Sequence, residues 1–359
     1  MMKFYKRKIA VVGVIAALTL SLAACSSEDG GNGGGGDAAN GKVAFLMPNL
    51  ASTRFEQQDS PLFKAKIKEL CEGCEVIYQN ADGDAAKQQQ QADAAITQGA
   101  KVLVLNAVDT TAAASIVDSA QSQGVAVITY DRPIPKVEAD LYISFDNEEI
   151  GRSIAQSLVD HLPPATGEQG ILIVNGSPAD NAAGLIRDGI HKSVDASDYT
   201  VLAEYDTPDW DPKKAQDWVS GQITQFGDKI IGVVAANDGT GGGSIAAFKA
   251  AGWATVPPVT GNDAEIAAIQ RIVSGSQYNT ISKPIKIVAE AAAEASMAFL
   301  KGEKPTGDAD VFGTSARIFI PTVVTSENVK EVIFDGKIYT AAEVCTADYK
   351  AACDALGIK

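Results

Sequence analysis

The chain is short of histidine, with only His161 and His191 in 359 residues. His161 falls in "VDHLPP" at a helix end and His191 inside a helix. Both read as surface residues rather than catalytic bases. No Gly-x-Ser-x-Gly and no His-Glu-x-x-His occurs, which removes two common hydrolase patterns. The stretch "GTGGGS" at 239–244 misses Gly-x-Gly-x-x-Gly because its last position is Ser244, and it lacks the Lys-Ser/Thr of a P-loop. Close helix–strand packing is the expected reason for its glycines. Basic residues are outnumbered, 30 Lys+Arg against 45 Asp+Glu, which argues against nucleic-acid or anionic-membrane binding. The apolar run from Ile9 to Leu20 is shorter than the roughly 20 residues needed to span a bilayer.

That run does have another reading. Lys3, Lys6, Arg7 and Lys8 precede it and Leu22-Ala23-Ala24-Cys25 follows it. A basic head, a short apolar body and small residues before a cleavage point describe a secretory signal over 1–24. Its end resembles a bacterial lipobox, in which Cys25 carries the lipid. The Gly/Ser/Asp-rich segment 25–41 reads as a flexible tether. The leader holds four basic residues and no acidic ones, so the mature chain is more acidic still. The remaining cysteines form two close pairs, Cys71/Cys74 and Cys345/Cys353. An even number in an exported chain favours disulfides. Local pairing is the expected choice among three connectivities. With so few ligands nearby, a zinc site is not expected.

From residue 42 onward, two patterns alternate. Short β-branched runs occur at 42–47, 75–79, 101–106, 125–130, 141–145, 171–175, 201–205 and 230–236. Between them lie stretches with helical spacing, such as "DAAKQQQQADAAITQG", where Ala85, Ala92, Ala95 and Ile96 share a face and Gly99 ends the helix. Repeated βα units predict an α/β fold with parallel sheets covered on both faces. The series runs over 42–130 and restarts over 149–260 with no long linker. That predicts two similar lobes with a ligand between them, beyond the carboxyl ends of the strands.

The strand ends are rich in polar and aromatic groups. They offer Arg54 and Phe55, Asn106, Asp131 and Arg132, Asp146 and Asn147, Asp180 and Asn181, Trp210, Asn237, Asn262 and Asp263, and Lys283. Taken singly, Asp or Asn after a strand is first of all a helix N-cap. Asp211-Pro212 is such a start. Taken together, the set supplies acceptors (Asp131, Asp263), amides of both roles (Asn237, Asn181), donors (Arg54, Arg132, Lys283) and two flat rings (Phe55, Trp210). A pyranose needs that assortment, since its hydroxyls both donate and accept and its C–H faces pack on aromatic rings. Asp131 and Arg132 are expected to restrain each other until a ligand arrives.

The stretches "STRF", "YDRPI", "YISFDNEEIG", "NGSPADNAAG", "VVAANDGTGGG" and "GNDAEIAAIQRIVSGSQYNTISKP" resemble the xylose-type branch of the periplasmic sugar-binding proteins that serve ABC transporters. They keep that family's order over about 45–285. The resemblance implies two doubly wound parallel-sheet lobes joined by a three-stranded hinge, the periplasmic binding protein type I architecture. The first lobe would take 42–147 plus 283–311, the second 148–282 plus 312–345, with 346–359 as a tail. It implies that Arg54, Asp131, Arg132, Asn237, Asp263 and Lys283 hydrogen-bond a sugar while Phe55 and Trp210 stack on its faces. Phe55 stands where a Trp is frequent. The family's Asp-Asn-Asn reads Asp180-Asn181-Ala182 here, so one amide is missing.

The implied protein is a lipid-anchored monomer on the outer face of the cell membrane. It would need no cofactor, bind D-xylose and deliver it to an ABC permease. A sugar receptor for chemotaxis or signalling differs only in its partner. A glycosidase would use paired carboxylates, but these lie beside Arg, Asn and Lys, which hold them ionised and make poor acids. A sugar-responsive repressor shares the core, but needs a basic helix-turn-helix where an export signal is read here.

Overall fold

The computed structural model describes residues 41–359; the leader 1–24, Cys25 and the tether up to residue 40 lie outside the described residues. All eight β-branched runs form strands. The first five are β1 (Lys42–Met47), β2 (Glu75–Asn80), β3 (Val102–Leu105), β4 (Ala126–Tyr130) and β5 (Leu141–Phe145), linked by α1 (Ser60–Leu70), α2 (Ala85–Thr97) and α3 (Ala114–Ser122). They pair in parallel in the order β5-β4-β3-β1-β2. Period two decides what each face buries. Val43, Phe45 and Met47 enter one core with Phe63 and Ile67, while Ala44 and Leu46 enter another with Ala92, Ala95 and Val117. Both faces are covered, so β3 is buried at every position.

The second series gives β6 (Gly170–Asn175), β7 (Thr200–Asp206) and β8 (Ile230–Ala235), again parallel, in the order β7-β6-β8. Its helices are α4 (Asn147–His161), α5 (Asn181–Val194), α6 (Pro212–Phe226), α7 (Asp238–Ala250) and α8 (Ile266–Val273). Beside them β9 (Asn279–Ser282) pairs antiparallel with a late strand, Thr322–Thr325. Helix α9 (Ile285–Leu300) returns to the first lobe and packs on α1.

The chain therefore passes between lobes three times, at 145–147, 282–285 and 319–322. The first and third passages are tied by Asp146 N–H donating to the Phe319 carbonyl at 3.0 Å. One boundary differs from expectation. Strands β10 (Ala309–Val311) and β11 (Thr314–Phe319) extend the first sheet, β11 pairing in parallel with β5. So 312–345 is divided, and the passage falls at Ile320-Pro321, where proline has no N–H to continue the ladder. β12 (Thr322–Thr325) then begins the second lobe's portion. The sheets are thus mixed, parallel with antiparallel edges.

Both local disulfides form, Cys71–Cys74 and Cys345–Cys353. The C-terminal segment is not an appendage. With α10 (Ala341–Val344) and α11 (Lys350–Ala355), it packs Tyr339, Val344, Cys353 and Ile358 against Ile269, Ile272 and Val273 of α8. The "GTGGGS" stretch lies inside α7. A Cβ on Gly243 would fall 2.2 Å from the Pro212 carbonyl oxygen, and one on Gly241 2.6 Å from that of Thr260, so its glycines serve packing. Among the described residues, no helix is long and apolar enough to cross a membrane.

Helices α4 and α5 approach closest where both lack side chains. A Cβ on Gly151 would lie 1.9 Å from the Ile186 carbonyl oxygen, and one on Gly189 2.0 Å from that of Glu148. Gly151→Ala is expected to destabilise the protein by about 1–3 kcal/mol, since the two backbones must part. Urea unfolding checks it: the midpoint should drop, and an unchanged midpoint contradicts this packing.

Candidate functional site

The carboxyl ends of both sheets meet around a small, tightly closed cavity of about 30 Å³. Nine expected residues line it: Arg54, Phe55, Asp131, Arg132, Asp180, Trp210, Asn237, Asp263 and Lys283. Asn181 does not. Its amide turns to Thr110 of the first lobe, whose hydroxyl also takes the Asn181 backbone N–H at 3.1 Å. Ser52, Asn147, Ala182, Ile186 and Asn262 complete the lining.

Three lining residues have left-handed backbones without being glycine: Asp131 (φ 66°), Trp210 (φ 57°) and Asp263 (φ 100°). Such conformations cost on the order of 1–3 kcal/mol each and persist only where the surroundings enforce them. At Asp131 the carbonyl accepts from the hydroxyls of Tyr142 (2.9 Å) and Ser144 (3.0 Å), and its N–H donates to Ile143. Asp263 N–H donates to the Ile281 carbonyl at 3.1 Å. The Trp210 indole lies on Gly176, where a Cβ would come within 2.1 Å of the ring. Phe55 begins a wide helical turn, Phe55–Asp59, and the Arg54 guanidinium sits 5.0 Å from its ring centre.

The charges are paired, but not as adjacency suggested. The turn at Asp131 sends its side chain and that of Arg132 to different partners. Asp131 meets Arg54 Nη2 at 2.7 Å, whereas Arg132 Nε reaches Asp180 in the second lobe at 2.9 Å. Arg54 also touches Asp263 (3.1 Å) and Asp59 (3.4 Å), and Lys283 Nζ holds Asp263 at 2.7 Å. Several of these contacts are ionic without aligned hydrogen bonds, at Arg54 Nε and Nη2 and at Arg132 Nε, leaving directional capacity for a ligand.

Burial pushes Asp131 up, but Arg54, Lys283 and Arg132 more than reverse it, holding this carboxyl well below the usual range. For Asp263 burial is likewise outweighed, by Lys283 and then Arg54. Burial wins at Asp180, which is raised despite Arg132, and at Asp59, raised to about 6. The lining holds three cations and three carboxylates, a balance that suits an uncharged ligand.

Several side chains serve the fold and the site together. Asn237 caps α7 through Oδ1, accepting from Thr240 N–H at 2.8 Å, so only its NH₂ is left to donate into the cavity. Asp180 caps α5, accepting from Ala182 N–H at 2.8 Å, and its other oxygen accepts from the Trp210 indole N–H at 3.0 Å. Asn147 and Asn262, which the sequence places at strand ends, join the lining without being among the expected ligand contacts. Asn147 is free because Asp146 does the capping, and it donates to the Tyr142 hydroxyl. Asn262 Oδ1 is buried without a protein partner. For Asn147 the signal is an Asp–Asn pair in which Asp146 serves the helix and the amide is left over.

The site binds rather than reacts. Asp131 and Asp263 are held ionised, and both histidines are occupied elsewhere: His161 stacks on Tyr278 at 4.1 Å, and His191 contacts Asp195 and Glu204. Among the described residues, no cluster of His, Cys, Asp or Glu could hold a metal.

Comparison with known proteins gives the same fold. The D-xylose-binding periplasmic protein of Escherichia coli (strain K12) is 32% identical over 311 residues, covering 84% of this chain and 92% of that one. An ABC transporter solute binding protein from Clostridium phytofermentans, solved with bound β-D-glucose, superposes with a TM-score of 0.77 at 27% identity, covering 84% of this chain and 99% of that one. A carbohydrate transporter solute binding protein from Chloroflexus aurantiacus, in complex with D-glucose, gives 0.76 at 28%, covering 84% and 97%. The periplasmic binding protein domain model matches residues 43–304. The chain belongs to that family, and is a non-catalytic solute-binding protein.

Proposed function

We propose that this protein captures a monosaccharide, D-xylose, outside the membrane and delivers it to an ABC permease, tethered through a lipid on Cys25. One observation carries the reading: a small interlobe cavity that combines paired opposite charges, leftover amide donors and acceptors, and two aromatic plates. A sugar is the small molecule whose edges and faces need all three. The xylose-binding relative and the two glucose-bound relatives support the ligand class.

Delivery requires release, and the contacts suggest how binding and release are coupled. Arg132–Asp180 and the Thr53 N–H to Glu265 bond (2.9 Å) link one lobe to the other. They exist only when the lobes are together, as do any ligand contacts drawn from both sides. Sugar binding then shifts an open–closed equilibrium.

Asp131→Ala should weaken sugar binding by about 100-fold, since it removes a charged acceptor and leaves buried Arg54 short of a partner. Titration calorimetry measures it, and a change under threefold sinks the assignment of this site. In cells, deleting the gene should abolish uptake of the sugar. Intact uptake with lost taxis or signalling would reassign the protein as a receptor.

A further inference from the structure

Apart from the Phe55 and Trp210 rings, the cavity is polar on every side but one: the first turns of α5. Asp180 is spent there, on Ala182 N–H, the Trp210 indole and Arg132. Asn181 is turned out to Thr110, which also takes its backbone N–H. What α5 presents to the cavity is Ala182 and Ile186, one helical turn apart and both buried. This wall therefore offers a ligand contact but no obvious hydrogen bond.

Resting on the sugar-binding reading above, we infer that Ala182 and Ile186 set the ligand's identity: they receive the unsubstituted ring methylene of a pentopyranose and disfavour a hexopyranose. The two sugars differ at that carbon. A pentopyranose carries only hydrogens there, whereas a hexopyranose carries a hydroxymethyl group. The opposite arrangement of the ring would bring hydroxyls against Ala182 and Ile186 and leave the amides and carboxylates of the other walls facing C–H. A hydroxymethyl hydroxyl placed against this wall loses its water and gains no partner. A buried polar group left in that state weakens binding. Discrimination here comes from the absence of a donor or acceptor, so supplying one should relax it. The rigid backing of α5 by α4, close at Gly151 and Gly189, leaves the wall little freedom to retreat from a larger sugar.

Three ligands that differ stepwise test this by calorimetry on the purified protein: D-xylose, 6-deoxy-D-glucose and D-glucose. The first step adds a methyl and the second a hydroxyl. D-xylose should bind at least tenfold tighter than D-glucose, with 6-deoxy-D-glucose between them and the larger loss at the hydroxyl step. Ala182→Ser places a hydroxyl on the wall with little added volume. It should shrink the xylose–glucose gap at least threefold. Glucose within threefold of xylose in the unaltered protein overturns the inference, and needs no variant to fold. So does a gap that Ala182→Ser leaves unchanged in a protein with unaltered thermal stability. If none of the three sugars gives saturable binding, the sugar-binding reading fails and this inference falls with it; saturable binding without the preference removes this inference alone.

Discussion

Arg54 is the residue around which the cavity is built. Its guanidinium is 2% exposed and lies within 3.4 Å of Asp59, Asp131 and Asp263. Those carboxylates come from three places: the turn that follows Arg54, the end of β4, and the loop before α8 in the other lobe. An isolated buried charge would cost several kcal/mol, and only close partners offset this. The sheets bring those partners together because parallel strands all end on the same side. Asp59 is further tied down by the Tyr130 hydroxyl, which donates to it at 2.6 Å from the last position of β4. Remove the guanidinium and three buried carboxylates repel one another at the junction of the lobes.

The backbone strain has the same origin. Asp131 and Asp263, two of the carboxylates that meet Arg54, have left-handed backbones. A strand that simply continued would carry these side chains past the cavity. A left-handed residue at the strand end turns the chain sharply, and Asp tolerates that conformation better than most residues. Tyr142 and Ser144 hold the turned peptide at Asp131 by donating to its carbonyl, so β5 supports the residue that follows β4. The strain is local and its compensation is local.

Much of this was legible. The strands could be read because β-branched runs separated by helical spacing have one economical solution, and most residues of the interlobe cavity could be read because strand ends in such a sheet converge. The capping of α4, α5, α6 and α7 by Asp146, Asp180, Asp211 and Asn237 was legible for the same reason. What escaped were choices made by geometry at long range. Asp131 and Arg132 are neighbours in sequence, yet the turn between them sends one to Arg54 and the other across to Asp180. Asn181 resembles its neighbour chemically, but one residue further along a helix points in a different direction, here to Thr110. Strand β11 has little to distinguish it from the following β12, and only Pro321 marks the passage between lobes. The C-terminal segment had no periodicity to place it; its role follows from packing on α8.

At Asp180, capping a helix and lining the cavity are not alternatives. A carboxylate has four lone-pair positions. One takes the N–H that starts α5, and the other oxygen takes the indole of Trp210 and faces Arg132 from the opposite lobe. Capping fixes where the carboxylate points, and that direction sets the plane of the indole and the place where Arg132 arrives. With the cap, the indole and Arg132 all drawing on it, Asp180 positions two residues that also line the cavity. When the lobes separate, Arg132 must leave, while the cap and the indole bond, both within the second lobe, can remain. The carboxylate then regains water on the side Arg132 vacated. Closure thus exchanges hydration of one carboxylate for an ion pair in a drier place, an exchange that yields little net stability by itself. That near balance suits the proposed cycle, in which the lobes close on the ligand and reopen to release it.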